Sequence, residues 1–245
     1  MIKLRVMQKI PSGFPEIVPD RFPPLNAADD EGLLAWSRDL DCEMLLNAYC
    51  RGIFPWPVEE QKILWFAPPR RAILKLSELH VSARLRQQLR CCPFRFQLNR
   101  RFDEVIAGCA AAVRKNQEGT WITAKMLRAY REFHRRGFAC SFEAVTADGT
   151  LAGGGYGVWI GGFFAGESMF HVQAEASKFA LVNLLEWLRD VAGLQWIDIQ
   201  MLTPLLVRLG AREVSRDDYQ TMLSAALEWP VNPAALTQLK TGMES

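Results

Sequence analysis

The chain has little of what most site chemistries require. It has three histidines, His80, His134 and His171, too scattered to make a metal pattern, so no metal is expected. Its six cysteines, at 42, 50, 91, 92, 109 and 140, include no CxxC pair. They give neither a zinc site nor a disulfide framework, and read as thiols in a reducing compartment. No GxxxxGK[ST] loop, no GxGxxG after the first strand and no GxSxG elbow occurs, which removes the common nucleotide-binding and serine-hydrolase readings. Met1 to Ile10 lacks the apolar centre of a signal peptide, and the Leu151 to Gly166 run is too short and glycine-rich for a membrane helix. The expected address is the cytoplasm, with no membrane partner and a monomeric state.

What is present is ordinary globular composition: 245 residues, 49% hydrophobic and 23% charged, with net charge +2. That length suffices for one large domain or two modest ones. The charge is unevenly placed. Thirteen cations lie between Arg84 and Arg136 against Asp103, Glu104, Glu118 and Glu132. Such an excess suits a polyanion, and on charge alone a solvated helical face is equally open.

Prolines 11, 15, 19, 23 and 24 predict loop or extended chain at the start. Periodicity then predicts helices over 40–50, 82–90 and 102–113, a helix running from a Thr123 cap to Gly137, and further helices over 175–191 and 204–209. Strands are predicted over 63–66, 72–76, 140–145, 150–160, 163–170 and 196–200, with a hairpin turn at Asp148-Gly149. Hairpins followed by a helix and a crossover strand make an α+β pattern. In the Thr123 helix, Met126, Tyr130 and Phe133 face inward, while Lys125, Arg128, Arg131 and Arg135 share the other side.

The strands from Leu151 to Phe170 are glycine-rich and otherwise apolar, but carry one carboxylate, Glu167. Residues without a Cβ let a ligand or a second backbone approach closely. A second isolated acid, Asp198, stands in Trp196-Ile197-Asp198-Ile199-Gln200. Asp198 and Gln200 share one strand face, with Ile197 and Ile199 on the other. A carboxylate in such a strand is costly to bury without a cation or several donors. The same spacing also fits a strand with its polar face toward solvent.

The strings Gly153-Gly154-Gly155-Tyr156-Gly157, Gly166-Glu167-Ser168-Met169-Phe170, Ala176-Ser177-Lys178, Ile197-Asp198-x-Gln200 and Leu209-Gly210-Ala211 resemble the bacterial leucyl/phenylalanyl-tRNA–protein transferase family. Earlier pieces agree in order: Gly32 to Ala35, Leu45-Leu46 to Ala48-Tyr49, Gly52-Ile53-Phe54-Pro55-Trp56, Trp65 with Pro68 and Arg71, Thr120-Trp121-Ile122, and Ala129-Tyr130. The resemblance covers roughly Phe14 to Tyr219.

It implies a small N-terminal α+β domain, 1–74, followed by an acetyltransferase-like (GNAT-type) mixed-sheet domain, 75–245. It implies transfer of leucine or phenylalanine, with methionine as a further donor, from aminoacyl-tRNA to proteins or peptides with N-terminal Arg or Lys. Such transfer marks proteins for N-end-rule degradation and uses no cofactor. By the same resemblance, Asp198 and Gln200 stand at the reaction centre, Asp198 attracting the acceptor's charged N-terminus. Glu167 holds the donor's amino group. Gly155, Phe164, Gly166, Leu184, Leu188 and Ile197 line the donor side-chain pocket. Trp56 and Trp121 meet the tRNA 3′ end, where aromatics stack on unpaired bases. Lys125, Arg128, Arg131 and Arg135 are expected to meet tRNA phosphates.

The chain departs from the family's usual residues at Leu205 and Cys140, where histidine is common, and at Ile199, where cysteine is. It departs again at Ser37 and Arg38. A bulky residue is usual at Gly155 and a small one at Trp159. The pocket changes leave a second reading open, a divergent transferase with another donor side chain or a small-molecule acceptor. A non-catalytic RNA-binding protein is a third. An acyl-CoA acetyltransferase lacks support, because the pyrophosphate-binding loop is missing.

Overall fold

The computed structural model describes residues 14–17, 21–59, 62–112 and 122–243. The first unit comprises β1 (Leu33–Ser37), α1 (Cys42–Cys50), β2 (Phe54–Glu59) and β3 (Lys62–Phe66), the strands forming an antiparallel sheet in the order β1-β3-β2. Asp41 caps α1 by accepting from the Met44 N–H at 2.8 Å. Gly52, at φ +74°, turns the chain out of the helix. Pro55 and Pro57 do not prevent a strand here, because β2 is an edge and can spare two donors.

The chain continues through β4 (Arg70–Lys75), α2 (Ala83–Arg90), β5 (Arg95–Leu98), α3 (Phe102–Ala111), α4 (Ala124–Arg135), β6 (Ala139–Val145), β7 (Leu151–Ile160) and β8 (Phe163–His171). It ends with α5 (Ala176–Asp190), β9 (Trp196–Gln200), α6 (Pro204–Arg208), β10 (Arg212–Ser215), α7 (Arg216–Glu228) and α8 (Pro233–Met243). The second sheet has seven strands in the order β10-β4-β9-β8-β7-β6-β5. All neighbours are antiparallel except β8 and β9, which α5 joins as a parallel crossover. The fold is thus mixed, with a seven-stranded mixed sheet and a small second sheet.

Two cores sit on the two faces of the large sheet. One gathers α1, α3, α4, α7 and the small sheet, through residues such as Leu34, Tyr49, Trp65, Ile106, Phe133 and Tyr219. The other lies under α2, α5, α6 and α8, through Leu89, Leu185, Leu188, Leu206 and Leu239. The division expected at residue 74 falls inside β4, a strand of the large sheet. The first core runs without a break from the small sheet onto the large one.

Two local features place the site. β8 and β9 pair only at Ala165↔Asp198. Farther along, Glu167 and Gln200 meet through side chains instead of a ladder. β7 pairs with β8 as Gly157↔Gly166 and Tyr156↔Ser168, which leaves Glu167 as an extra residue in a bulge. Bulges re-aim a side chain and shift the in–out alternation. Phe163 and Ala165 lie in the first core before the bulge, and Phe170 lies there after it.

Candidate active site

Trp196 belongs to the first core, and Ile197 and Ile199 to the second, so the alternation of β9 turns Asp198 toward the first. Asp198 is 0% exposed and Arg71 is 2% exposed. Arg71 Nε donates to Asp198 Oδ1 at 2.9 Å and Oδ2 at 3.1 Å, and Nη2 donates to Oδ2 at 2.6 Å. Tyr219 OH donates to Oδ2 at 2.8 Å. The Arg71 guanidinium lies 4.3 Å from the Phe54 ring centroid and 5.1 Å from that of Tyr219. Burial opposes the Arg71 charge, but the Asp198 carboxylate outweighs it and holds the guanidinium above its ordinary pKa.

Asp198 Oδ1 also accepts from the Gln200 backbone N–H at 2.9 Å. Gln200 has φ +52°, and the Met201 N–H reaches back to Ile199 O at 2.5 Å. That is a γ-turn with positive φ, a strained form for a residue with a side chain. Asp198 therefore steadies the turn that presents the Gln200 amide.

Gln200 Nε2 donates to Glu167 Oε1 at 2.8 Å, and Tyr130 OH donates to Glu167 Oε2 at 3.2 Å. Tyr130 OH in turn shares a 2.5 Å hydrogen bond with Tyr49 OH. Glu167 and Gln200 are half-buried, whereas both tyrosines are buried. Burial pushes the Glu167 carboxyl up to about 7, with the Asp198 charge adding to the rise and the phenols and Arg71 opposing it. Burial and the nearby Glu167 charge keep both phenols well above their ordinary range, so they act as donors.

Chemically, the arrangement offers an acid for an ammonium, Glu167, beside an amide, Gln200. Behind them stands a neutralised pair that fixes the amide.

The remaining expected positions are distributed as follows. Phe164, Leu184, Leu188 and Ile197 are packed together in the second core. Gly166 has open space around its missing Cβ, the nearest atom being Asp198 O at 3.8 Å. A Cβ at Gly155 would lie 2.4 Å from Phe142 Cζ, so the Phe142 ring fills the space that a bulkier residue would take. Trp159 stacks edge-on against Phe164 at 6.0 Å and Trp187 at 5.9 Å. Trp56 is half-buried on β2, and Trp121 lies outside the described residues.

The α4 cations are largely engaged. Lys125 bonds Arg38 O and lies 3.8 Å from Asp39, Arg131 meets Asp103 at 2.8 Å, and Arg135 meets Glu132 at 2.6 Å. Arg128 is exposed, with no carboxylate partner among the described residues. Thr123 caps the helix, and Gly137 ends it at φ +82°.

Arg71, Tyr219, Tyr130 and Tyr49 are the members that sequence reasoning does not bring to the site. Their partners are far away in the chain, 127 residues for Arg71 and Asp198. The sequence holds one trace, a cation at the start of the apolar run Ala72-Ile73-Leu74.

Residues 73–224 match the family model of leucyl/phenylalanyl-tRNA protein transferase, and residues 38–69 match that of its N-terminal domain. A protein of Anaeromyxobacter dehalogenans (strain 2CP-C) named leucyl/phenylalanyl-tRNA–protein transferase is 48% identical over 209 residues, covering 85% of this chain and 89% of that protein. One of the same name from Shewanella baltica (strain OS195) is 43% identical over 222 residues, covering 91% and 92%. Among solved structures, L-PGS from Bacillus licheniformis aligns with 74% of this chain and 57% of that chain, at 15% identity and a TM-score of 0.36. A likeness at that level carries no argument.

Proposed function

The chain belongs to the leucyl/phenylalanyl-tRNA–protein transferase family, and from that premise we propose how its residues divide the work. The donor is leucyl- or phenylalanyl-tRNA, and the acceptor is a protein beginning with Arg or Lys. The product is a lengthened N-terminus that marks the protein for N-end-rule degradation. The strand order, with one parallel pair at its centre, supports a GNAT-type core.

The observation that carries this reading is the linked set Glu167–Gln200–Asp198, open at its first two members and sealed at the third. In the reaction the acceptor's amine lone pair attacks the ester carbonyl carbon of the donor. A C–N bond forms, the C–O bond to the ribose breaks, and a proton passes from the amine to the leaving ribose oxygen. An ester becomes an amide without a nucleotide cofactor. An α-amine has an ordinary pKa of roughly 7.7 to 8.0, so a useful fraction is already neutral. The enzyme's task is mainly placement.

Glu167 holds the donor's ammonium, and Tyr130 and Tyr49 fix its carboxylate. Gln200 aligns the attacking amine beside it. The sequence expectation that Asp198 attracts the acceptor's N-terminus meets a carboxylate already committed to Arg71, Tyr219 and the Gln200 N–H. In our reading it therefore acts through Gln200, as a positioning residue. Trp56 and Trp121 stack on the terminal adenosine. Gly155, Gly166, Phe164, Leu184, Leu188 and Ile197 receive the donor side chain once the four apolar residues, closed against one another in the second core, part beside Gly166, where the missing Cβ leaves space. On α4, Arg128 meets a phosphate directly, whereas Lys125, Arg131 and Arg135 exchange existing partners for one.

The test is transfer of radiolabelled leucine or phenylalanine from charged tRNA to a peptide starting with Arg, beside one starting with Glu. Product on the Arg peptide alone is expected. Product on neither, with tRNA still bound, overturns the proposed acceptor.

A further inference from the structure

β9 ends at Gln200, in the reaction centre. It begins at Trp196, which lines a separate cavity of about 740 Å³ together with Gly162, the residue before β8. The apolar lining is Leu194, Trp196, Met222 and Ala226, with Trp229 at the solvent side, 40% exposed. The polar lining is Lys75 and Arg189, with Ser77, Gln195 and Thr221. Among the described residues no carboxylate lines it.

The walls are held by contacts that need no ligand. The Gly162 N–H donates to Ala226 O at 2.9 Å, and the Trp229 indole N–H donates to Gly193 O at 3.2 Å. α7 lies so close to the β7–β8 turn that only glycine fits there. A Cβ at Gly161 would come within 2.3 Å of Leu227 O, and one at Gly162 within 2.7 Å of Trp229 Cβ. The cavity is therefore formed before anything enters it. Its volume falls within the range of sites for small organic molecules, roughly 300 to 1,000 Å³.

The charge of the lining narrows the class of occupant. Lys75 stands directly opposite Trp196 in the β4–β9 ladder, so both side chains leave the same face of the sheet. Lys75 is half-buried, and no described carboxylate pairs with it. Arg189 is already committed to Asp190, at 2.6 and 2.9 Å. A half-buried ammonium without a counter-ion favours an anion beside it. One unpaired cation matches a single negative charge. A zwitterion is disfavoured, because its ammonium would meet two cations and no acid. The two indoles and the aliphatic lining call for an apolar body behind that charge.

We propose that this cavity binds small apolar monocarboxylates, with the carboxylate on Lys75 and the apolar body against Trp196 and Trp229. The assignment goes beyond the transferase reading and does not depend on it. The place given to the donor is a poor alternative for such a ligand, because the Glu167 carboxylate repels a second one.

The test is calorimetric titration of the full chain with 6-phenylhexanoate, its neutral amide 6-phenylhexanamide, and 6-phenylhexylamine. The carboxylate is expected to bind about tenfold or more tighter than the amide, the gain of one charge-assisted hydrogen bond. The amine is expected not to bind. Lys75→Gln should erase the preference for the carboxylate and leave the affinity for the amide unchanged. Ala225→Trp alters an exposed lining position on α7. It should fill the cavity and abolish binding of both probes at an unaltered melting temperature. Glu167→Gln should leave both affinities as they are.

Equal binding of acid and amide by the wild type overturns the proposal, as does binding of neither. A preference that survives Lys75→Gln overturns it too, since the charge is then read elsewhere. Binding that survives Ala225→Trp places the probe outside this cavity, and binding that tightens in Glu167→Gln places it at the donor site. Because Ala225 is exposed, that variant decides the location even where Lys75→Gln lowers the yield of folded protein.

Discussion

Arg71 grips Asp198 with three hydrogen bonds of 2.6 to 3.1 Å across 127 residues of sequence, and the pair has almost no exposure to solvent. Arg71 Nη1 finds no hydrogen-bond acceptor among the described residues, so the cation leans on the ring faces of Phe54 and Tyr219. A buried pair of this kind is weak evidence for stability but strong evidence for fixed geometry, and here the fixed object is the Gln200 turn.

Arg71→Met leaves the Asp198 charge buried and alone, at a cost of about 3–5 kcal/mol. The expected readout is a lower denaturant midpoint. Adding Asp198→Leu removes the orphaned charge and restores most of the stability. Transfer should stay absent in the double variant, because the Gln200 N–H has lost its acceptor. A double variant that folds and transfers normally refutes the positioning role.

Gln200 sits at φ +52°, where a side chain is strained and glycine is not. Gln200→Gly should therefore be more stable than Gln200→Ala by about 1 kcal/mol. Both should lose transfer by about 100-fold or more, since both lack the amide. Melting curves and single-turnover rates separate the two effects. Equal stability of the two variants would remove the argument from strain.

Glu167 must be ionised to hold an ammonium, and its carboxyl is raised to about 7. Donor use should therefore fall as pH drops through about 7. Glu167→Gln should be slower throughout and lack that inflection, keeping only the rise near pKa ~8 that belongs to the acceptor amine. The comparison is kcat/KM for charged tRNA from pH 6 to 9. A variant profile parallel to that of the wild type would detach Glu167 from the donor.

Glu143 is fully buried against Ser141 Oγ at 2.5 Å and the Arg101 N–H at 3.4 Å, with its carboxyl pushed by burial up to about 7. A raised acid contributes stability that is complete below its ordinary pKa and is lost as pH rises through the folded value. Relative to Glu143→Gln, the wild type should lose about 3 kcal/mol between pH 4.5 and 8, each pKa unit being about 1.4 kcal/mol. Thermal melts of both proteins across that range give the result directly. A constant difference between them would show that Glu143 does not titrate in this window.

Gly155→Met restores the bulk usual in the family but collides with Phe142, so overpacking should cost about 1–3 kcal/mol. Adding Phe142→Ala should recover only part of that stability, because the new Cβ still lies 2.6 Å from the Ser168 backbone oxygen. If Phe142 and Gly155 share the donor pocket wall, the double variant should also change the ratio of leucine to phenylalanine transferred. Competition between the two charged tRNAs measures that ratio.

The sequence determined much of this protein by itself. Periodicity with capping signals placed α1 to α6, and apolar runs bounded by turn residues placed β3, β4 and β6 to β9. The shared strand face of Asp198 and Gln200 also follows from period 2. The strands it left unmarked, β1, β2, β5 and β10, are the four edges of the two sheets. Edges pair on one side only, and in β2 the prolines 55 and 57 mask the strand signal, so their pattern is weak. α7 and α8 likewise lie beyond the last expected element.

What only the tertiary structure decided is how the site is wired. The bulge at Glu167, the positive φ of Gln200, the closure of Asp198 by Arg71 and Tyr219, and the support of Glu167 by Tyr130 all join distant segments. Local spacing carries no record of such contacts. A buried charge is tolerated only where the fold delivers its partner, and that delivery depends on strand order and register, which no single segment encodes.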